Sequence, residues 1–167
     1  RGRVVALCYH NVRPDQAARF ARQAELASGR VVPLDSLGSV EHCSMRPRVV
    51  FTFDDAYANL LETVTPVMRR LGAPWSVYAV SGVMGTPPTW SMPEGHPDRV
   101  ERTMTREELR AVAQDPNVEI GAHTVSHPDL TSLTDAAALE HEVSVCRAEL
   151  GSLLEREIAT LALPHGA

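Results

Sequence analysis

Apolar residues fall into short runs, each cut off by polar, Gly or Pro positions, and these runs alternate with stretches of helical period. The densest run is Arg48-Val49-Val50-Phe51-Thr52-Phe53, which ends abruptly in Asp54-Asp55-Ala56. β-Branched and aromatic residues without polar alternation predict a strand covered on both faces, as in a parallel sheet or barrel. Before it, Val4–Tyr9 reads as a buried strand stopped by His10-Asn11, and residues 31–34 as a weaker extended piece. After it, residues 74–80, Val118–Ala122 and 158–163 predict three more strands.

Helical spacing fills the intervals. Asp15 is placed to cap a helix over 16–27, with Ala17, Phe20, Ala24 and Ala27 on one face and Gly29 as its stop. Leu60, Leu61, Val64, Val67, Met68 and Leu71 give an amphipathic helix closed by Gly72, and Pro66 should kink it or mark its weakest turn. Thr105 and Glu108 form a capping box for a helix reaching Gln114. Thr134 caps a longer helix from Asp135, with Leu139, Val143, Cys146 and Leu150 on one face. Residues 35–47 read as a turn of helix and a loop, and 81–102 carry too many Gly and Pro for regular structure, the mark of a functional lid or rim. Strand and helix alternate, which predicts an α/β fold of parallel strands joined by right-handed crossovers, in a single domain over 1–167.

Composition narrows the function classes. A chain of 167 residues with 44% hydrophobic and 22% charged residues can bury a core without staples. Sixteen Lys and Arg against twenty-one Asp and Glu leave a net charge of -5, which argues against nucleic acid as the main partner. No uninterrupted apolar run is long enough to predict a membrane span. The chain opens at Arg1 without a charged-then-apolar leader, the pattern expected where a targeting segment was removed or never included. Cys8, Cys43 and Cys146 lack CxxC spacing and read as incidental thiols. His42, His96 and His141 are expected on the surface.

The remaining polar groups follow one rule. His10, Asp54-Asp55, His123 with His127, and Pro164-His165 all lie just beyond the carboxyl ends of predicted strands, the rim where α/β folds place their sites. Two adjacent carboxylates at the end of a buried strand repel each other and lose solvation unless a cation or a proton-transfer task offsets both. Two neutral imidazoles and one carboxylate make a three-ligand catalytic zinc set with a position left for water. The HxxxH spacing alone reads as two surface or core histidines. It is not the zincin helix, because Thr124 stands where the Glu would be and Pro128 disfavours a helical His127. The acid pair on another strand turns the balance toward a site. With one Asp on the metal, its neighbour can take a proton from metal-bound water attacking a carbonyl, and a histidine can protonate the leaving group. A phosphoaspartate enzyme would leave the histidines without a role.

These residues resemble the polysaccharide deacetylase family, the NodB-homology carbohydrate esterases that remove N- or O-acetyl groups from sugar polymers. Thr52-Phe53-Asp54-Asp55-Ala56 looks like the family's TFDDG, His123-Thr124-Val125-Ser126-His127 like its H(S/T)xxH, and Leu163-Pro164-His165-Gly166 like its third, Pro-containing motif. The resemblance implies an irregular (β/α) barrel of about seven parallel strands, here incomplete at its carboxyl end. It implies Asp54 as general base and Asp55, His123 and His127 as ligands of one divalent metal, zinc first and cobalt or nickel as alternatives. The backbone N–H of His165 would help bind the oxyanion, and Pro164 would shape the groove wall. The implied partner is an acetylated sugar polymer or oligosaccharide, and the implied location the cell envelope or exterior.

Departures from the pattern set their own expectations. Ala56 replaces a Gly, which strains the loop if that position needs positive φ. His165 replaces a commoner Tyr, and the downstream motifs that orient the base and supply the acid histidine are absent. Tyr9-His10 after the first strand resembles the YH element of the poly-N-acetylglucosamine deacetylase branch, where the acid histidine comes first. His10 is therefore read either as general acid or as a histidine hydrogen-bonded at a strand end. Trp90 either stacks on a sugar face or plugs its loop. Two other functions stay open: a carbohydrate-binding pseudoenzyme, and a related barrel hydrolase of small amides or imides.

Overall fold

Four parallel strands form one sheet in chain order: β1 (Val4–Tyr9), β2 (Arg48–Phe53), β3 (Trp75–Ala79) and β4 (Val118–Ala122). The computed structural model describes residues 3–38 and 47–166, so His42 and Cys43 lie outside the described residues. Helices α1 (Ala17–Ala27), α2 (Leu60–Thr63), α3 (Thr65–Leu71) and α4 (Arg106–Val112) occupy the crossovers, and α5 (Ala136–Glu140) and α6 (Cys146–Leu154) follow β4. Parallel neighbours need such crossovers, because a tight hairpin cannot return the chain in the same direction. No helix among the described residues is long and apolar enough to cross a membrane.

Side-chain alternation divides the sheet into two chemically different faces. Tyr9, Phe53, Val77 and Ile120 share one row of the register and join Phe20, Leu60, Met68 and Trp75 in the core. The Tyr9 ring stacks on Phe53 at 5.3 Å and meets Phe20 of α1 edge-on at 5.5 Å, which fastens α1 to the sheet. The next row, Cys8, Thr52, Ser76 and Glu119, is polar. There Ser76 Oγ donates to Glu119 Oε2 at 3.1 Å and Thr160 Oγ1 donates to Glu119 Oε1 at 3.0 Å. β2 is thus apolar toward the helices and partly polar on its other face.

Among the described residues the sheet is open, an incomplete form of the barrel, with four strands where the resemblance implied about seven. Among the described residues β1 pairs only with β2, so it is an edge strand there and not the buried one its composition suggests; Val4 is 47% and Val5 39% exposed. Residues 158–163 run beside β4 through a single bridge, Leu161 to Ala122, with Ala122 N–H donating to Thr160 O and Ala162 N–H to Ala122 O. Val31 likewise reaches Val49 by one bridge. Both segments hold a parallel course but are too short for a full ladder.

Helix ends differ from the sequence reading in three places. Asp15 lies inside a 3-10 turn (Pro14–Gln16) that precedes α1, and the Arg13 N–H is taken by Gln16 Oε1 at 3.0 Å. At Pro66 the expected kink is a full break: the chain divides into α2 and α3, with the proline in the first turn of α3, where its missing N–H is not needed. Asp135, not Thr134, caps α5 by accepting the Ala137 N–H at 3.0 Å. Between α5 and α6 lies a π-helical turn, His141–Val145, whose extra residue rotates the buried face. Leu139 is consequently 40% exposed, while Glu142, Cys146, Leu150 and Leu153 point inward.

Candidate active site at the strand ends

The turn after β2 sets the two carboxylates apart. Asp54 N–H donates to Tyr9 O at 2.8 Å, continuing the β1–β2 ladder by one residue. Asp55 and Ala56 then take left-handed backbone angles, φ 67° and 52°, which turn the chain sharply off the sheet. Asp55 is 2% exposed, whereas Asp54 is half-buried with its Oδ2 accepting from the Cys8 thiol at 3.3 Å. Residues 56–58 are held from outside: Met104 N–H donates to Ala56 O at 2.8 Å and Ala58 N–H to Arg102 O at 3.0 Å.

Beyond β4 the chain is held just as tightly. His123 N–H donates to Ala79 O at 3.0 Å, and its ring Nδ1 lies 2.9 Å from Ala162 O, which makes Nδ1 the protonated nitrogen and leaves Nε2 with its lone pair. Thr124 and His127 are left-handed, φ 69° and 60°, and Thr124 Oγ1 accepts the His127 N–H at 3.0 Å. Opposite this loop, Ser81 N–H donates to Thr124 O and Gly82 N–H to Val125 O. A Cβ at Gly82 would stand 2.5 Å from Val125 O, so only glycine allows that approach. Among the described residues, five of the six non-glycine residues with positive φ, namely Asp55, Ala56, Thr124, His127 and His165, lie at these strand ends. Strained backbone of this kind persists where surrounding bonds over-determine it, and it clusters at functional sites.

The two turns bring Asp55, His123 and His127 together. Nε2 of His123 lies 3.5 Å and Nε2 of His127 3.4 Å from Asp55 Oδ1, and all three donors fit within 4.8 Å of one another. Asp55 Oδ1 is buried without a hydrogen-bond partner. Burial, then the charges of Asp54 and Asp98, raises the Asp55 carboxyl to about 7. Burial, then His123 and His165, lowers His127 to about 3, and burial also pushes His123 down. The imidazoles are therefore held neutral beside a carboxylate whose charge is uncompensated. A divalent cation suits this set, since it takes neutral imidazole lone pairs and one carboxylate and supplies the missing positive charge.

These groups open into a cleft of about 740 Å³ that also takes in Cys8, His10, Asp54, Trp90 and His165. His10 is exposed at the end of β1. The Trp90 ring stacks on His127 at 4.3 Å, and His165 meets His127 edge-on at 4.9 Å. Trp90 thus backs a candidate ligand, a packing role the sequence had left between plug and sugar platform. Pro164, expected to shape the groove wall, is buried behind Leu163, His165 and Gly166, which form the lining there. His96 is exposed as expected, and it also lines the cleft, where its Nδ1 accepts the Asp98 N–H at 3.3 Å.

Sequence reasoning passed over the residues that tie the rim together. Asp98 Oδ1 accepts from Asn11 Nδ2 at 3.0 Å and lies 3.4 Å from Arg13, anchoring the breaker-rich loop to the end of β1. Cys8 and Glu142 were also passed over. Cys8 was legible in principle, since it lies two residues before His10 and side chains alternate along a strand.

The fold and the site define a class of α/β domain that gathers carboxylates and imidazoles at the carboxyl edge of a parallel sheet. Residues 42–167, about three quarters of the chain, match the polysaccharide deacetylase family, and the chain belongs to that family. IcaB from Ammonifex degensii aligns with a TM-score of 0.77 and 21% identity over 100% of this chain and 76% of its own. The BpsB deacetylase domain from Bordetella bronchiseptica gives 0.73 and 20% over 98% of this chain and 80% of that domain. The Streptococcus pyogenes deacetylase PplD in complex with acetate gives 0.73 and 17% over 99% and 74%. No curated protein sequence matches the chain.

Proposed function

We propose that the protein is a metal-dependent hydrolase that removes acetyl groups from an N- or O-acetylated polysaccharide. The observation that carries this reading is the convergence of Asp55, His123 and His127 beside a second, differently placed carboxylate, Asp54, in the cleft of a polysaccharide deacetylase domain. One similar structure, that of PplD, is a complex with acetate, the product such a reaction releases.

In this reading Asp55, His123 and His127 hold one divalent ion, and the two-nitrogen, one-oxygen donor set favours zinc, with cobalt or nickel able to replace it. When bound, such an ion polarises a carbonyl and acidifies water toward neutrality. Asp54, half-buried and separate from the ligand group, accepts the proton of the attacking water at its carboxylate. The backbone N–H of His165 stabilises the oxyanion, and the His10 imidazole returns a proton to the leaving amine or alkoxide. Trp90 keeps solvent off one face of His127 and holds its ring. Ala162 O holds the His123 ring and Thr124 Oγ1 the His127 backbone, so that both imidazoles face Asp55.

The test is acetate release. Zinc-loaded protein should release acetate from chito-oligosaccharides, and the D54N variant should bind metal but release little. Binding of the oligosaccharide without acetate release would support a pseudoenzyme instead. Turnover of small amides with none of oligosaccharides would support the small-substrate hydrolase.

A further inference from the structure

The loop between His123 and His127 must place two imidazole nitrogens within a few ångströms of one carboxylate oxygen, yet two of its residues sit in left-handed backbone. Such backbone returns to ordinary angles unless its peptide groups are fixed from outside. One side is fixed by the Ser81 and Gly82 N–H groups, which hold the carbonyls of Thr124 and Val125. The other side is fixed by one side chain. Glu142 Oε2 accepts the N–H of Val125 at 2.8 Å and of Ser126 at 2.9 Å, and Oε1 accepts from Ser126 Oγ at 2.6 Å.

Glu142 is 9% exposed, and no Arg or Lys among the described residues pairs with it. Its carboxylate is satisfied by the loop alone, three donors meeting one charge, and charge-assisted bonds of this kind are the stronger sort. The π-helical turn His141–Val145 carries it. That turn gives the inward position to an acid flanked by Val143 and Cys146, where a regular amphipathic helix would put an apolar side chain. Local helix stability gains nothing from a buried acid there, so its cost is offset only by what it holds.

We infer that Glu142 is a positioning residue for the metal ligands: it clamps the backbone between His123 and His127, and so fixes where the His127 ring stands relative to Asp55. The inference rests on the reading of Asp55, His123 and His127 as a metal site. Glu142 touches neither metal nor substrate and acts only through the two N–H groups and the hydroxyl it accepts. A shift of the loop by about an ångström would move His127 Nε2 out of reach of the point that Asp55 and His123 share, while leaving the sheet intact.

Zinc affinity, measured by competition with a chromophoric chelator, tests this without reference to turnover. Wild-type protein should take up one equivalent. E142A, shown by circular dichroism to be folded, should bind zinc about 10- to 100-fold more weakly, the usual effect of losing an outer partner of a metal ligand. E142Q should stay close to wild type, because its amide oxygen can accept both backbone N–H groups and its amide nitrogen can face Ser126 Oγ. Cobalt-loaded E142A should show an altered visible spectrum, and E142Q the wild-type one. Should E142A not fold, S126A removes the hydroxyl bond alone and should weaken zinc binding by a smaller but measurable factor. A folded E142A with wild-type affinity overturns the inference, as does unchanged affinity in S126A if E142A does not fold. Wild-type protein that takes up no metal overturns the site reading itself, and is seen before any variant is compared.

Discussion

The Cys8 thiol, on the edge strand β1, donates to Oδ2 of Asp54 across 3.3 Å, so the proposed base is held by a neutral donor rather than by a cation. Burial, then the charge of Asp54, pushes the thiol up to about 11, and it stays protonated throughout the neutral range. C8S should keep most of the activity, since a hydroxyl can donate in the same place. C8A should lower kcat by up to about tenfold, near 1.4 kcal/mol, with little change in KM. Alkylation of Cys8 by iodoacetamide at pH 7.5, followed at the peptide level, should be slow and should speed up in D54N.

Removing a ligand and removing the base should give different phenotypes. D55A, H123A and H127A should each lose stoichiometric zinc. D54N should keep it and lose about 10² to 10⁴ in kcat, the range of a general base. Zinc content and acetate release measured on the same preparations separate the two; retention of stoichiometric metal in all three ligand variants would contradict the site.

Acid should weaken metal binding through Asp55 rather than through the histidines. Burial holds His127 down at about 3 and lowers His123, while burial and the charges of Asp54 and Asp98 raise Asp55 to about 7. Metal must displace the Asp55 proton below that value. Zinc affinity should be flat above pH 7, after correction for zinc hydrolysis and buffer, and fall about tenfold per pH unit below it, with one proton released per ion bound. Isothermal titration in buffers of different ionisation enthalpy counts that proton; release of two would assign a histidine instead.

Ala56 carries the positive φ that a glycine would relieve, 52°, yet its methyl is buried in the core at 3% exposure. Left-handed backbone costs an alanine about 1 kcal/mol, and the buried methyl returns about 0.8 kcal/mol. A56G should therefore shift Tm by less than about 4 °C in either direction, since 1 kcal/mol corresponds to roughly 2–4 °C at this size. A56V adds a β-branch at the same φ and should destabilise by about 2 kcal/mol or more. Thermal melts of both variants decide whether Ala56 is tolerated as well as this balance implies.

Much of the site was readable because its residues lie close together in sequence or at the ends of strongly patterned strands. Asp54-Asp55 after an apolar run, and His123 with His127 after Val118–Ala122, needed only the period of a strand and the chemistry of carboxylate and imidazole. The capping box at Thr105 and Glu108 was equally local, and both its bonds form, at 3.2 and 2.9 Å. Strand exposure was not readable: Val4–Tyr9 has a core composition but lies at the edge of an open sheet, and composition carries no information about which neighbour is missing.

By itself the sequence determined the α/β class, the order of strands and helices, and the set of acids and imidazoles gathered at the strand ends. Periodicity and turn chemistry are local, and a parallel sheet puts every carboxyl end on one side. Tertiary structure decided the rest. It made Asp55 the buried partner of His123 and His127 and left Asp54 to Cys8, it set Trp90 against His127, and it turned Glu142 inward through one extra residue in a helix. Those outcomes depend on backbone angles and on contacts 16 to 72 residues apart in the chain, which no local pattern specifies.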